Sequence, residues 1–130
     1  MSRYDKYDPF DGGYRATLNA AIVAADAGKL RAVSINAAGR AIIGGAALTD
    51  LRGIICPTEA MPAVASIDVM TDGEVGDPTT TAGVAFGNND VLYAHIDGSI
   101  DAVSTAGLAV GFIVNGPGTK RAVIRFRSVL

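Results

Sequence analysis

No tryptophan and no glutamine occur in this sequence of 130 residues, which has one cysteine, one histidine, two glutamates and three lysines. Each scarcity removes a possibility. Cys56 stands alone, so no disulfide can form within the chain, which fits a reducing site of synthesis. Most zinc sites take three or four Cys or His ligands, and Cys56 with His95 supplies two, so no metal site is expected. The long unbranched side chains that favour helices are nearly missing. No run approaches the ~18 apolar residues of a membrane span. The opening MSRYDKYDPFDGGYR carries charges of both signs and no apolar stretch, unlike a signal peptide. A soluble protein made in a cytoplasm is expected.

The chain is instead rich in small and β-branched residues: 22 Ala, 16 Gly, and 23 Val and Ile together against 7 Leu. Branching at Cβ suits pleated strands, and the 11 Asp and the glycines supply turns. The length allows one domain, two at most. An all-β fold is expected, a small β-barrel or β-sandwich of short antiparallel strands. With so much alanine and only 8 aromatics, the core should be thin, made largely of methyl groups and completed by a second surface through self-association or docking.

From residue 29 the chain reads as short strands: LRAVSI (30–35), RAII (40–43), GIIC (53–56), SIDVM (66–70), DVLYAHI (90–96), SIDAV (99–103), LAVGFIV (108–114) and RAVIRF (121–126). Asn36 to Gly39, Asp72-Gly73 and Asp97-Gly98 are turn signals. Pro57 marks a strand end, because it cannot donate to a ladder. Residues 16–28 leave helix and strand in competition, and an extended segment with a single helical turn fits them best. A faint echo links 33–55 with 93–113: strand, Gly turn, strand, then Gly before an apolar pair. Two similar halves would explain it, and so would chance.

Residues 1–15 differ from the rest and read as an extended N-terminal arm preceding a single β domain, 16–130. They hold Tyr4, Tyr7, Phe10 and Tyr14, half of all the aromatics, and Pro9 with Gly12-Gly13 argues against a continuous helix. Solvating tails are poor in aromatics, whereas binding surfaces use them as anchors. These four residues are the candidate partner contacts; the alternative is that the arm folds back on its own domain.

The search for chemistry returns little. His95 sits at strand period with no nucleophile motif beside it, and reads as a satisfied strand histidine. GPGTK (116–120) lacks both the spacing and the following helix of a phosphate-binding loop. Asp72, Glu74 and Asp77 lack the ligand pattern of a calcium loop. Asp97 and Asp101 could meet across a hairpin, but nothing supplies the cleft an acid–base pair needs. The formal charge of −2 gives no reason to expect a nucleic-acid partner. No acid follows Asp101, and Arg121, Arg125 and Arg127 alternate with apolar residues; they mark either the solvent face of a last strand or a contact with an acidic partner. No catalytic residue or cofactor is assigned, and an enzyme is not expected.

The segments AADAGKLRAVSINAAGRAIIGG, LRGIICP, ASIDVMTDGEVGD, LYAHIDGSI, AVGFIV and RAVIRF resemble the capsid decoration (head cement) proteins of tailed bacteriophages. The matching pieces are Asn36 to Arg40, Gly53-Ile54-Ile55, Pro57, Pro62 and Ile67 to Glu74, with IDVMTDGE the most specific. Ala65-Ser66 departs from the Gly-Asp often found there. The resemblance implies a small trimeric β-barrel protein on the outer face of an icosahedral shell. Its partners would be the major capsid protein and two further copies of itself, its location the virion surface after synthesis in the bacterial host cytoplasm. It carries no catalytic residues. The alternative from another class is a small β-barrel that binds nucleic acid or another ligand through the C-terminal basic strand.

Overall fold

A computed structural model describes residues 12–115 and 120–127. Among the described residues there are ten strands: β1 Gly13–Leu18, β2 Arg31–Ile35, β3 Arg40–Ile43, β4 Leu51–Ile55, β5 Ser66–Met70, β6 Asp72–Gly76, β7 Val91–Ala94, β8 Ile100–Asp101, β9 Leu108–Asn115 and β10 Lys120–Arg125. Two single-turn 3-10 helices, Ala24–Asp26 and Leu48–Asp50, are the helical elements among the described residues. Residues 16–28 thus divide as their mixed pattern suggests, with the end of β1 extended and one helical turn following.

Strands β1 to β5 form a closed barrel in the order β1-β3-β2-β4-β5, and β6 to β10 form a five-stranded sheet in the order β6-β10-β9-β7-β8. Renumbering the second set as one to five gives 1-5-4-2-3, which is the order of the first read round the closed barrel in the other direction. The echo between the halves is therefore structural. In both, the first hairpin has a three-residue loop ending in a left-handed glycine, Gly39 at φ 80° and Gly98 at φ 87°. Their backbone bonds also match: Asn36 N–H to Arg40 O and Gly39 N–H to Asn36 O in one, His95 N–H to Ser99 O and Gly98 N–H to His95 O in the other, all between 2.9 and 3.0 Å. This is the three-residue hairpin with a glycine bulge, which only glycine enters without strain.

The next strand repeats as well. The β2–β4 register slips between Val33 and Ser34, opposite Gly53; the β7–β9 register slips between Leu92 and Tyr93, opposite Gly111. A β-carbon on Gly53 would strike Val69 of β5, and one on Gly111 would strike the Val123 carbonyl of β10. At both bulges the neighbouring strand comes too close for any other residue.

The core corrects one expectation. Five alanines are buried, Ala16, Ala32, Ala41, Ala94 and Ala122, but the largest fully buried side chains are Leu, Ile and Val. One cluster, with Leu18, Val33, Ile55 and Val69, fills the barrel; the other, with Leu30, Ile54, Leu92, Ile113 and Ile124, lies between the barrel and the second sheet. Strands β2 and β4 are buried on both faces, Val33 and Ile55 pointing into the barrel and Ala32 and Ile54 toward the sheet. That explains why RAVSI and LRGII do not alternate.

The sequence expectation fails at Asp72-Gly73, which is no turn. Both residues lie inside β6, which pairs with β10 and not with β5. Thr71 is where the chain leaves the barrel for the second sheet, and the turn chemistry of an Asp-Gly pair yields to the hydrogen bonds β10 offers. SIDAV is also shorter than read, with only Ile100–Asp101 in ladder. The halves are stapled where Ala32 N–H donates to Gly98 O and Gly45 N–H to Ile96 O, both at 2.8 Å. Arg31 reinforces this contact, bonding Asp26 at 2.8 Å and the carbonyls of Asp97 and Gly98.

Candidate interaction surface

Of the four aromatic candidates, Tyr4, Tyr7 and Phe10 lie outside the described residues. Tyr14 lies in β1, opposite Val69. It occupies the inward parity shared by Ala16 and Leu18 but sits at the barrel end, 38% exposed, with its hydroxyl donating to the Arg52 carbonyl at 3.0 Å. Burial raises its pKa, against the opposing pull of Arg52. Tyr14 therefore plugs the barrel end. The residue before β1 is also fixed: the Gly12 carbonyl accepts the amides of both Thr71 and Asp72, at the junction of the two halves.

Most of the groups that could carry chemistry have partners within the chain; of GPGTK, residues 116–119 lie outside the described residues. His95 Nε2 is 2.7 Å from Asp101 Oδ1 and Nδ1 is 3.2 Å from the Ala106 carbonyl, so both ring nitrogens face acceptors. Both nitrogens thus have partners within the chain. The sequence anticipates a satisfied histidine but not its partner. Asp97, far from pairing with Asp101, accepts from Ser99 N–H at 2.9 Å and Ser99 Oγ at 2.6 Å, and these bonds lower its pKa. Burial raises the pKa of the Cys56 thiol, which disfavours the reactive thiolate. In the acidic cluster, Asp72 pairs with Arg127 at 3.2 Å and Glu74 with Arg121 at 2.8 Å. Among the described residues no three potential ligands converge on a metal position, and no helix is long and apolar enough to cross a membrane.

The outer face of the second sheet is the surface that stands out. Antiparallel sheets commonly turn polar residues to water, as the barrel does with the Arg15–Asp68 pair. On the second sheet, Val91 of β7 lies opposite Phe112 of β9, and Phe112 opposite Val123 of β10. This gives a continuous apolar row, with Val91 40% and Phe112 42% exposed. It runs on to Glu74, opposite Val123, where a shallow hollow is lined by Asp72, Gly73, Glu74, Val123, Arg125 and Arg127. The alternation read in RAVIRF holds: Ala122, Ile124 and Phe126 are buried and the arginines face outward. Arg121 and Arg127 are neutralised by Glu74 and Asp72, whereas exposed Arg125 has no carboxylate partner among the described residues.

Phe112 was missed because LAVGFIV is apolar throughout. The bulge at Gly111 places the inward residues three apart, at Val110 and Ile113, so period-two counting fails across it.

No family model matches the sequence, and no curated protein does. Among solved structures, the chain superposes on one from Mycobacterium phage Patience with a TM-score of 0.74 and 18% identity, over 98% of this chain and 96% of that one. The two proteins share one fold over nearly their whole lengths.

Proposed function

We propose that this protein is a structural component of a tailed-phage virion that binds the outer surface of the assembled capsid as a trimer and stabilises it. The observation that carries the reading is the near-complete superposition on a chain from Mycobacterium phage Patience. It agrees with the resemblance of IDVMTDGE and the flanking segments to capsid decoration proteins. The surface adds support: Arg121 and Arg127 are paired with Glu74 and Asp72, and an apolar row faces outward. Such a face suits contact better than catalysis. In this reading the N-terminal aromatics reach the major capsid protein or a neighbouring copy, and many identical weak contacts add around the shell through multivalency. No cofactor is required, and the work is mechanical.

The test is decoration of undecorated particles. Full-length protein should bind, and cryo-electron microscopy should show added density at three-fold positions. Deleting residues 2–11, which spares β1 and Gly12, should leave a folded domain whose binding falls by on the order of 100-fold, the loss expected of two or more aromatic anchors. Unchanged binding of the truncated chain would overturn the arm's role, and the absence of any binding by the full-length protein would overturn the capsid reading.

A further inference from the structure

A second apolar surface lies on the barrel, built mainly from its connections. Segments 16–25, 41–49 and 60–67 contain no charged residue, in a chain with 11 basic and 13 acidic ones. They meet in space: Ile22 and Met61 exchange both backbone bonds, at 2.8 and 3.0 Å, and the Leu18 carbonyl accepts Val64 N–H at 3.0 Å. On the other side of residues 18–22, an apolar hollow of about 270 Å³ runs to Ile42 and Ile43. Val23 and Val64 stand out from this surface, each 58% exposed. Val64 is also strained. Its φ of 60° is left-handed, a region that a β-branched residue enters only at a cost and glycine enters freely. An exposed side chain gains little from its own fold, so strain kept for an apolar tip points to a contact outside the chain.

The charge pattern indicates what makes that contact. Around a rotation axis, each residue close to the axis meets its own copy, and a charge there faces an identical charge. The barrel patch avoids this, whereas the row on the second sheet is bordered by Arg125 and by the ion pairs of Arg121 and Arg127. At the margin of the patch, Arg15 is paired with Asp68 and Arg31 with Asp26, and Lys29 donates to the Ala25 carbonyl. Arg40 and Glu59 are exposed and have no ion-pair partner among the described residues. They stand toward opposite ends, Arg40 beside Thr17 and Glu59 two residues before Met61. A surface neutral in its middle, with a cation at one end and an anion at the other, complements a rotated copy of itself.

We propose that this patch is the contact between copies of the chain, with Val64 buried near the axis and Arg40 of one copy paired with Glu59 of the next. The inference rests on the trimer in the reading above and names the surface that builds it. The apolar row of the second sheet then stays free for the capsid.

The test is sedimentation of the free full-length protein, without particles, over a wide range of concentration. The natural chain should associate. Val64→Asp should raise the concentration at which it dissociates by on the order of 100-fold, as like charges meet near the axis, with circular dichroism unchanged. Val64→Gly suits the left-handed backbone and keeps the test valid if Val64→Asp unfolds; it should still weaken association about tenfold, the loss of one buried valine. Arg40→Glu should weaken association, and adding Glu59→Arg should restore it. Phe112→Asp, on the other half, should leave the copy number unchanged. A natural chain that stays monomeric overturns the proposal, and loss of particle binding in Val64→Asp would then assign the patch to the capsid protein. Association that ignores both Val64 variants, or that Phe112→Asp alone abolishes, overturns it while sparing the trimer, and a double variant that stays dissociated overturns it too. No particle is present, so these outcomes are separable from that of the decoration assay.

Discussion

The barrel formed by β1–β5 and the sheet formed by β6–β10 have one strand order, one hairpin loop and one bulge between them, yet they differ in closure and in what they show to water. In the barrel, β1 pairs with β5 on one side and runs parallel to β3 on the other, through Thr17–Arg40 and Leu18–Ala41. In the sheet the equivalent strands β6 and β8 do not pair. Beside the open edge, Thr81 of the β6–β7 connection ties β8 to the chain entering β2: its N–H donates to the Ile100 carbonyl at 3.3 Å. Its hydroxyl accepts from Ile100 N–H at 3.0 Å and donates to Leu30 O at 3.1 Å. The closed half is thus completed by the β1–β3 pairing, where the open half leaves β6 and β8 as edges. The outward apolar row also belongs to the open half. Closure is a local matter of pairing, and the same topology gives a closed barrel in one half and an outward apolar row in the other.

Three substitutions probe this comparison. The largest effect is expected at the paired bulge glycines. Gly53→Ala and Gly111→Ala each force a β-carbon into the neighbouring strand and should each cost about 3 kcal/mol by denaturant titration, the upper end for overpacking. A large cost at one and a negligible cost at the other would reduce the equivalence to strand order alone. Thr81→Val should have an intermediate effect, about 1–2 kcal/mol, since it strands an amide and a carbonyl. It should also speed hydrogen exchange around β8 while leaving β3 unchanged; equal acceleration in both halves would deny that Thr81 acts locally on the β8 edge.

The smallest effect concerns pH. The first hairpin loop is held by a neutral side chain, Asn36 Oδ1 accepting from the amides of Ala38 and Arg40 at 3.0 Å each. The second is held by a charged one, Asp97, whose pKa is lowered by its bonds to Ser99. A carboxyl whose folded pKa lies below its unfolded value stabilises the fold above the ordinary carboxylate range, and the contribution is lost as pH falls through the folded value. On acidification the second loop should loosen before the first. NMR titration should find Asp97 below the usual carboxylate range and Ser99→Ala should return it upward; a normal Asp97 titration would remove the distinction between the loops.

Much of the fold was legible locally. SIDVM and RAVIRF alternate where one face is buried, and the spans read for them and for RAII agree with β5, β10 and β3 to within a residue. The Asn36 and Asp97 loops announce themselves by side chains that bond their own backbone and by the glycine that follows. Candidate site residues were less legible. Alternation placed Arg121, Arg125 and Arg127 on the outer face, but the bulge at Gly111 hid Phe112. The pairing of His95 with Asp101 depends on a hairpin register that a list of strands does not specify. Asp72-Gly73 misled because a turn propensity is weak beside a full strand ladder.

The sequence by itself determined the secondary structure class, the lengths of most strands and the two hairpin loops, because these follow from side-chain branching, period-two burial and glycine's access to positive φ. Only the tertiary structure decided that β6 joins β10, that one half closes and the other does not, and that an apolar row faces outward beside the point where the chain enters. Those outcomes depend on contacts between residues tens of positions apart. There a one-residue bulge reverses which side chains face water, and no local pattern reports it.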